Sequence, residues 1–155
     1  MSTRTQPRPF AVWLLIALQF FLGLGALAGG ACFILAPDGS IMHMPVSMIS
    51  GSPFSSFLIP GIILFTVVGI YPVMVAYSLW QKPTWVWPNA INPFKQTHWS
   101  WAGSLAAGVI VLIWITVEVQ FTGVGVLHFV YWAWGIVLIV LTLLPDVRKY
   151  YRLKA

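Results

Sequence analysis

Four long apolar runs limit what this chain can become. They cover about 10–36, 54–80, 101–121 and 126–144, and the one Asp, Glu, Lys or Arg inside them is Glu118. A helix that crosses the hydrocarbon layer needs about 20 predominantly apolar residues. Lipid offers no partner to a free backbone N–H or C=O, so runs of this length read as spanning helices. Composition closes the alternatives. Charged residues make up 7% of the chain, against roughly 25% in an average soluble domain, which is too few to cover a water-facing surface. A soluble enzyme and a disordered tail are excluded on that ground. No nucleic-acid partner is expected either, because the eight Lys and Arg are scattered between the runs and form no stripe. The reading is an all-α protein, an integral membrane four-helix bundle occupying 1–155 as one domain, with the lipid bilayer as its first partner.

Orientation follows from those same basic residues. Arg4 and Arg8 precede the first run, Lys82 and Lys95 lie between the second and third, and Arg148, Lys149, Arg152 and Lys154 follow the fourth. The loops at about 37–53 and 122–125 contain no Lys or Arg. Positive charge stays inside, so both termini are expected to be cytoplasmic. The first run also resembles a signal peptide ending in Ala26-Leu27-Ala28, but it continues apolar through Leu35, beyond the 7–15 residues of a signal core. It is therefore read as a retained helix. Cys32 is the single cysteine, which rules out an intrachain disulfide or a cysteine cage.

Lipid tails are as apolar as leucine, so helices in a bilayer associate through close packing and a few polar contacts. Gly25 and Gly29 form a GxxxG, with Gly23, Gly30 and Ala31 beside it, and read as a packing strip inside the bundle or toward a second copy. Ser52-Pro53 reads as the start of the second helix. Within it Pro60 would remove a bond to the Ser56 carbonyl, and Pro72 would free that of Val68 and kink the helix. Gln19 falls level with Tyr77, Ser78, Ser104 and Thr142 and reads as polar glue. Trp80, Trp85, Trp87, Trp99 and Trp101 bracket the 81–100 loop as an interfacial belt, in which Pro83, Pro88 and Pro93 argue against a continuous helix. On the other side Pro37-Asp38-Gly39 is a turn. The segment after it holds Met42, Met44 and Met48 and is apolar enough to lie on the headgroups or fold over the bundle mouth.

Chemistry has few places to reside. Asp38 and Asp146 have ordinary surface explanations, whereas a carboxylate inside a span is a functional candidate by default. Glu118 stands five residues before Gly123 and His128 five after, so an antiparallel hairpin puts both roughly 7 Å below the outer turn. Trp114 and Trp132 come one turn deeper, with Thr116, Gln120 and Tyr131 nearby. This set forms a candidate outward-facing ligand pocket with the methionine-rich segment as its lid. The plainer alternative is a Glu118–His128 contact that fixes the helix pair. Met42-His43-Met44 with Met48 and Cys32 has donors suited to Cu(I), but methionine also fills gaps in apolar loops. No metal and no cofactor are expected: His128 is the one histidine within a span, and there is no HExxH, phosphate loop or Ser/His/Asp set.

Gly51-Ser52-Pro53-Phe54, Ile59-Pro60-Gly61 and the closing Leu144-Pro145-Asp146-Val147-Arg148 carry a resemblance. The chain is similar to a group of small bacterial membrane proteins with four spans, a Pro-Asp-Gly outer turn and an SPF…IPG lead into the second helix. The resemblance implies a multi-pass protein of the bacterial cytoplasmic (inner) membrane and brings no activity with it. The expected role is therefore binding of a lipid, a small amphipathic ligand or a partner subunit at the outer face. Two alternatives stay open: a membrane enzyme or proton-coupled carrier using Glu118 and His128, and an oligomeric channel assembled through Gly25 and Gly29.

Overall fold

A computed structural model describes residues 7–153; Arg4 and Lys154, counted among the orienting charges, lie outside that range. The helices in chain order are α1 (Phe10–Leu35), α2 (Leu58–Gln81), α3 (Val86–Ile91), α4 (Trp99–Thr122), α5 (Val126–Leu143) and α6 (Pro145–Tyr150). Of these α1, α2, α4 and α5 are long and apolar enough to cross a membrane. Each packs on its neighbours in the chain, and α5 returns to α1, so the four form a closed ring. Arg8, the 82–98 connection and α6 gather at one end, the basic end. The 36–57 connection and the 123–125 turn make the other.

The contacts inside the ring follow the small residues, in a register other than the GxxxG. The face of α1 that turns inward carries Leu15, Gln19, Leu22, Gly23, Ala26 and Gly30. A Cβ on Gly23 would stand 2.8 Å from the Gly69 carbonyl oxygen, and one on Gly30 would stand 2.7 Å from the Phe65 nitrogen. The α1 and α2 backbones can approach this closely only at glycine. Gly108 and Gly135 do the same for α4 and α5, where a Cβ on either would sit 3.1–3.2 Å from the other's carbonyl oxygen. Gly25 and Gly29, expected as the strip, meet no backbone; the nearest atoms are the Tyr131 hydroxyl at 3.9 Å and a Leu64 methyl at 3.5 Å. Helical phase explains the difference, since 23 and 30 are two turns apart on the inward face while 25 points off it.

The second span also starts later than Ser52-Pro53 suggests. Ser52 Oγ accepts from the Phe54 N–H at 3.2 Å in a local turn, and the helix begins at Leu58 after the buried Phe57. Pro60 is then the third helical residue, where its N–H would have had no intrahelical partner, so it removes no bond. Pro72 is accommodated by a seven-residue π-helical stretch, Leu64–Ile70, in which the Tyr71 N–H reaches back to the Thr66 carbonyl. The wider turn shifts the bonding frame ahead of the proline.

A polar thread runs through the apolar core. Gln19 Nε2 donates to Ser104 Oγ at 2.9 Å and to its carbonyl at 3.3 Å. Ser104 Oγ in turn donates to Thr142 Oγ1 at 2.8 Å, because the Thr142 hydroxyl is committed to the Leu138 carbonyl at 2.7 Å. Three spans are thus tied at one depth; Tyr77, expected alongside, is exposed instead.

At the basic end Trp80 and Trp87 are exposed, as an interfacial belt requires, but Trp99 and Trp101 are core residues. Their indoles donate inward, to the Pro83 carbonyl at 3.0 Å and the Thr142 carbonyl at 2.7 Å. The 82–98 connection contains the short α3, which tolerates Pro88 as its third residue. Asn92 folds the following loop by donating to the Phe94 and Thr97 carbonyls. Lys82, at a left-handed φ of 49°, donates to the Tyr150 carbonyl at 2.9 Å and sits 3.5 Å from the centre of that ring.

Candidate functional site

The α4–α5 turn is tight because Gly123 takes a φ of 78°, which glycine adopts without strain. Gly125 then donates its N–H to His128 Nδ1 at 2.8 Å. That nitrogen therefore carries no proton, and Nε2 is the side that faces Thr122 Oγ1 at 3.5 Å. Thr122 Oγ1 donates to the Glu118 carbonyl at 3.0 Å. The acid and the imidazole stand at the same end of the hairpin, with Thr122 between them, and the bonds of the His128 ring go to the turn.

Helical phase then sorts the remaining residues. Trp114, Glu118 and Thr122 recur every fourth position and share one face of α4, turned toward the ends of α1 and α2 that lie away from the basic end. Thr116 and Gln120 lie on an exposed face, where Trp132 donates to Thr116 Oγ1 at 3.2 Å. Tyr131 turns toward α1 and stacks on Trp134 with ring centres 6.3 Å apart. Of the residues expected to form the ligand pocket, Trp114 and Glu118 line one cavity, while Thr116, Gln120, His128, Trp132 and Tyr131 do not.

That cavity has a volume of about 80 Å³. Its walls include Phe33 from α1, Ile63 from α2, and Trp114, Glu118 and Phe121 from α4, with Met44 and Ile49 above. Phe33 stacks on Phe57 at 4.8 Å, which stiffens one side. The roof is a folded structure. Gly39 has a φ of 77°, and a Cβ there would fall 1.9 Å from the Met44 carbonyl oxygen. The Met44 N–H closes on the Gly39 carbonyl at 3.0 Å, and the Phe57 N–H closes on that of Pro37 at 2.8 Å. Of the two placements open to the methionine segment, it takes the one over the mouth. Its donors are separated as a result: Met42 and His43 are exposed while Met44 turns under.

Phe33, Phe57 and Ile63 carried no signal in the sequence, since an apolar residue in an apolar run is unremarked until its neighbours are known. Chemically the cavity is a lined apolar recess with one ionisable group on its wall. No Lys or Arg occurs in 37–53 or 122–125, so the Glu118 carboxyl has no fixed cation at this end. Compared with known protein families, with curated proteins and with solved structures, the chain matches none. The fold itself defines the class: a small all-α integral membrane protein with four candidate spans.

Proposed function

We propose that this protein sits in the cytoplasmic membrane of a bacterium with its basic end inside, and that its outer cavity holds a small amphipathic ligand. The positive-inside bias supports the orientation. The single observation that carries the ligand reading is Glu118, a carboxyl on the wall of a recess whose other lining residues, Ser52 and Thr122 aside, are apolar. A group of this kind is expensive to keep within a span unless something pairs with it. The matching occupant is a slender apolar chain whose head donates hydrogen bonds or carries positive charge, such as an alkylamine. The recess would take the head at Glu118 and the first few carbons against Phe33 and Trp114, with the rest of the chain running out past its mouth.

The test is thermal unfolding of the purified protein in detergent with nonylamine, and with nonanoate as a chain-matched control for partition into the micelle. A ligand that binds the native state raises the midpoint by mass action. Nonylamine is expected to raise it and nonanoate to leave it unchanged, with the difference abolished in Glu118→Gln. Equal responses of the wild type and Glu118→Gln would overturn the reading.

A further inference from the structure

A second cavity, of about 910 Å³, opens at the basic end between the 93–97 loop and α6. Four cations line it, Lys95 from the loop and Arg148, Lys149 and Arg152 from the C-terminal segment, together with Phe94 and Leu143. No carboxylate is among the lining residues. Like charges held around one space repel each other, and an anion placed among them relieves that repulsion.

The walls are built before any occupant arrives. Thr97 and Arg152 form an antiparallel backbone bridge. On either side of it the His98 N–H donates to the Tyr151 carbonyl at 2.8 Å, and the Leu153 N–H donates to that of Gln96 at 2.8 Å. Tyr151 is buried and its hydroxyl donates to the Leu79 carbonyl at 2.6 Å, pinning the C-terminal segment to α2. Phe94 packs edge-on against Trp101 at 5.1 Å. Lys95 Nζ is held by the Ala90 and Asn89 carbonyls at 2.9 and 3.2 Å. Two guanidinium groups thus stand on a fixed frame, and their planar forks match phosphate oxygens.

Depth identifies the source of the phosphate. Leu143 is the last residue of α5 and is half exposed, so the cavity mouth lies where the hydrocarbon ends and headgroups begin. Basic recesses at that level suit anionic lipid headgroups. We infer that this cavity binds the phosphate of an anionic phospholipid drawn from the leaflet at the basic end.

The experiment is native mass spectrometry of the full chain in detergent, titrated with phosphatidylglycerol or with phosphatidylcholine. Two charge-matched double variants separate a built site from general attraction of lipid to positive charge: Arg148→Gln with Arg152→Gln, and Arg8→Gln with Lys82→Gln. The wild type should hold phosphatidylglycerol in preference to phosphatidylcholine. The first pair should weaken that binding roughly 25-fold, about fivefold for each cation taken from the cavity wall, and the second less than about threefold, because Arg8 and Lys82 do not line the cavity. The bridge at Arg152 is made by backbone, so it survives the substitution. If either double variant fails to fold, Lys149→Gln and Arg8→Gln as singles decide in the same way, with about fivefold expected for the first alone. Equal losses in the two arms, or no preference for phosphatidylglycerol, would overturn the proposal. Displacement of the lipid by inorganic phosphate would replace the membrane source with a soluble phosphate compound.

Discussion

His98 is a buried imidazole whose two nitrogens hold different partners. Nε2 faces the Pro83 carbonyl at 3.1 Å and must donate to it, while Nδ1 accepts from the Ser100 N–H at 3.3 Å and caps α4. That arrangement needs the neutral ring. Burial, helped by the nearby Lys82 charge, holds its pKa below the ordinary 6.5. A histidine more readily protonated when unfolded contributes stability that is complete above the unfolded pKa. That contribution declines as pH falls below it, until the folded pKa is reached. The melting temperature in detergent should therefore drop between about pH 7 and the mildly acidic range. His98→Asn, which keeps a capping acceptor without a titrating ring, should flatten that dependence; an unchanged slope would show that another group sets it. At this scale Gln19 was legible from the sequence, because a polar side chain in an apolar span has to find partners. Trp99 and Trp101 were not, since an indole near a helix end suits the headgroup boundary and the core equally well.

Glycine placement governs the helix pairs. A valine at Gly30 would drive its Cβ against the Phe65 backbone, 2.7 Å away, and overpacking of this kind costs about 1–3 kcal/mol. Gly25→Val has 3.9 Å of clearance on an exposed surface and should leave stability nearly unchanged. Unfolding by a denaturing detergent distinguishes the two; equal losses would mean that the GxxxG strip also packs. The existence of four spans was plain from apolar length, and their ends were found to within a few residues. Which small residues touch depends on the rotation of α1 about its axis, and in a run apolar on every side no hydrophobic stripe marks that rotation. The π turn before Pro72 was equally out of reach. A proline announces a lost bond, but not that the turn ahead of it widens to shift the bonding frame.

Membrane sidedness belongs to the whole molecule, as does the separation of its two recesses. The apolar one lies beneath the 36–57 connection and the cationic one at the opposite end, so the protein presents different chemistry to the two leaflets. In a Cys32→Ser background, Ser47→Cys should react with an impermeant maleimide added to intact cells, and Thr84→Cys only after the membrane is opened. Reversed labelling would invert the orientation and place both proposed ligands in the other leaflet. In the hairpin, equal depth does not make two residues partners. Residue count from Gly123 puts Glu118 and His128 at one level, and both lie at the end of the bundle opposite the basic one. Depth is a count along an axis; partnership also needs an angle, and the angle gave Glu118 to the α1–α2 side and His128 to the turn.

Chain chemistry alone therefore determined the membrane class, the number of crossings and the asymmetric distribution of charge. Each depends on length or composition, which no packing arrangement can change. Tertiary structure decided what a linear pattern leaves free: the helix phases, the folding of the methionine segment into a roof, and the meeting of Lys95 with Arg148 and Arg152 across more than fifty residues of chain. Those depend on which backbones can approach most closely, and the glycines that permit it act only through the residues opposite them.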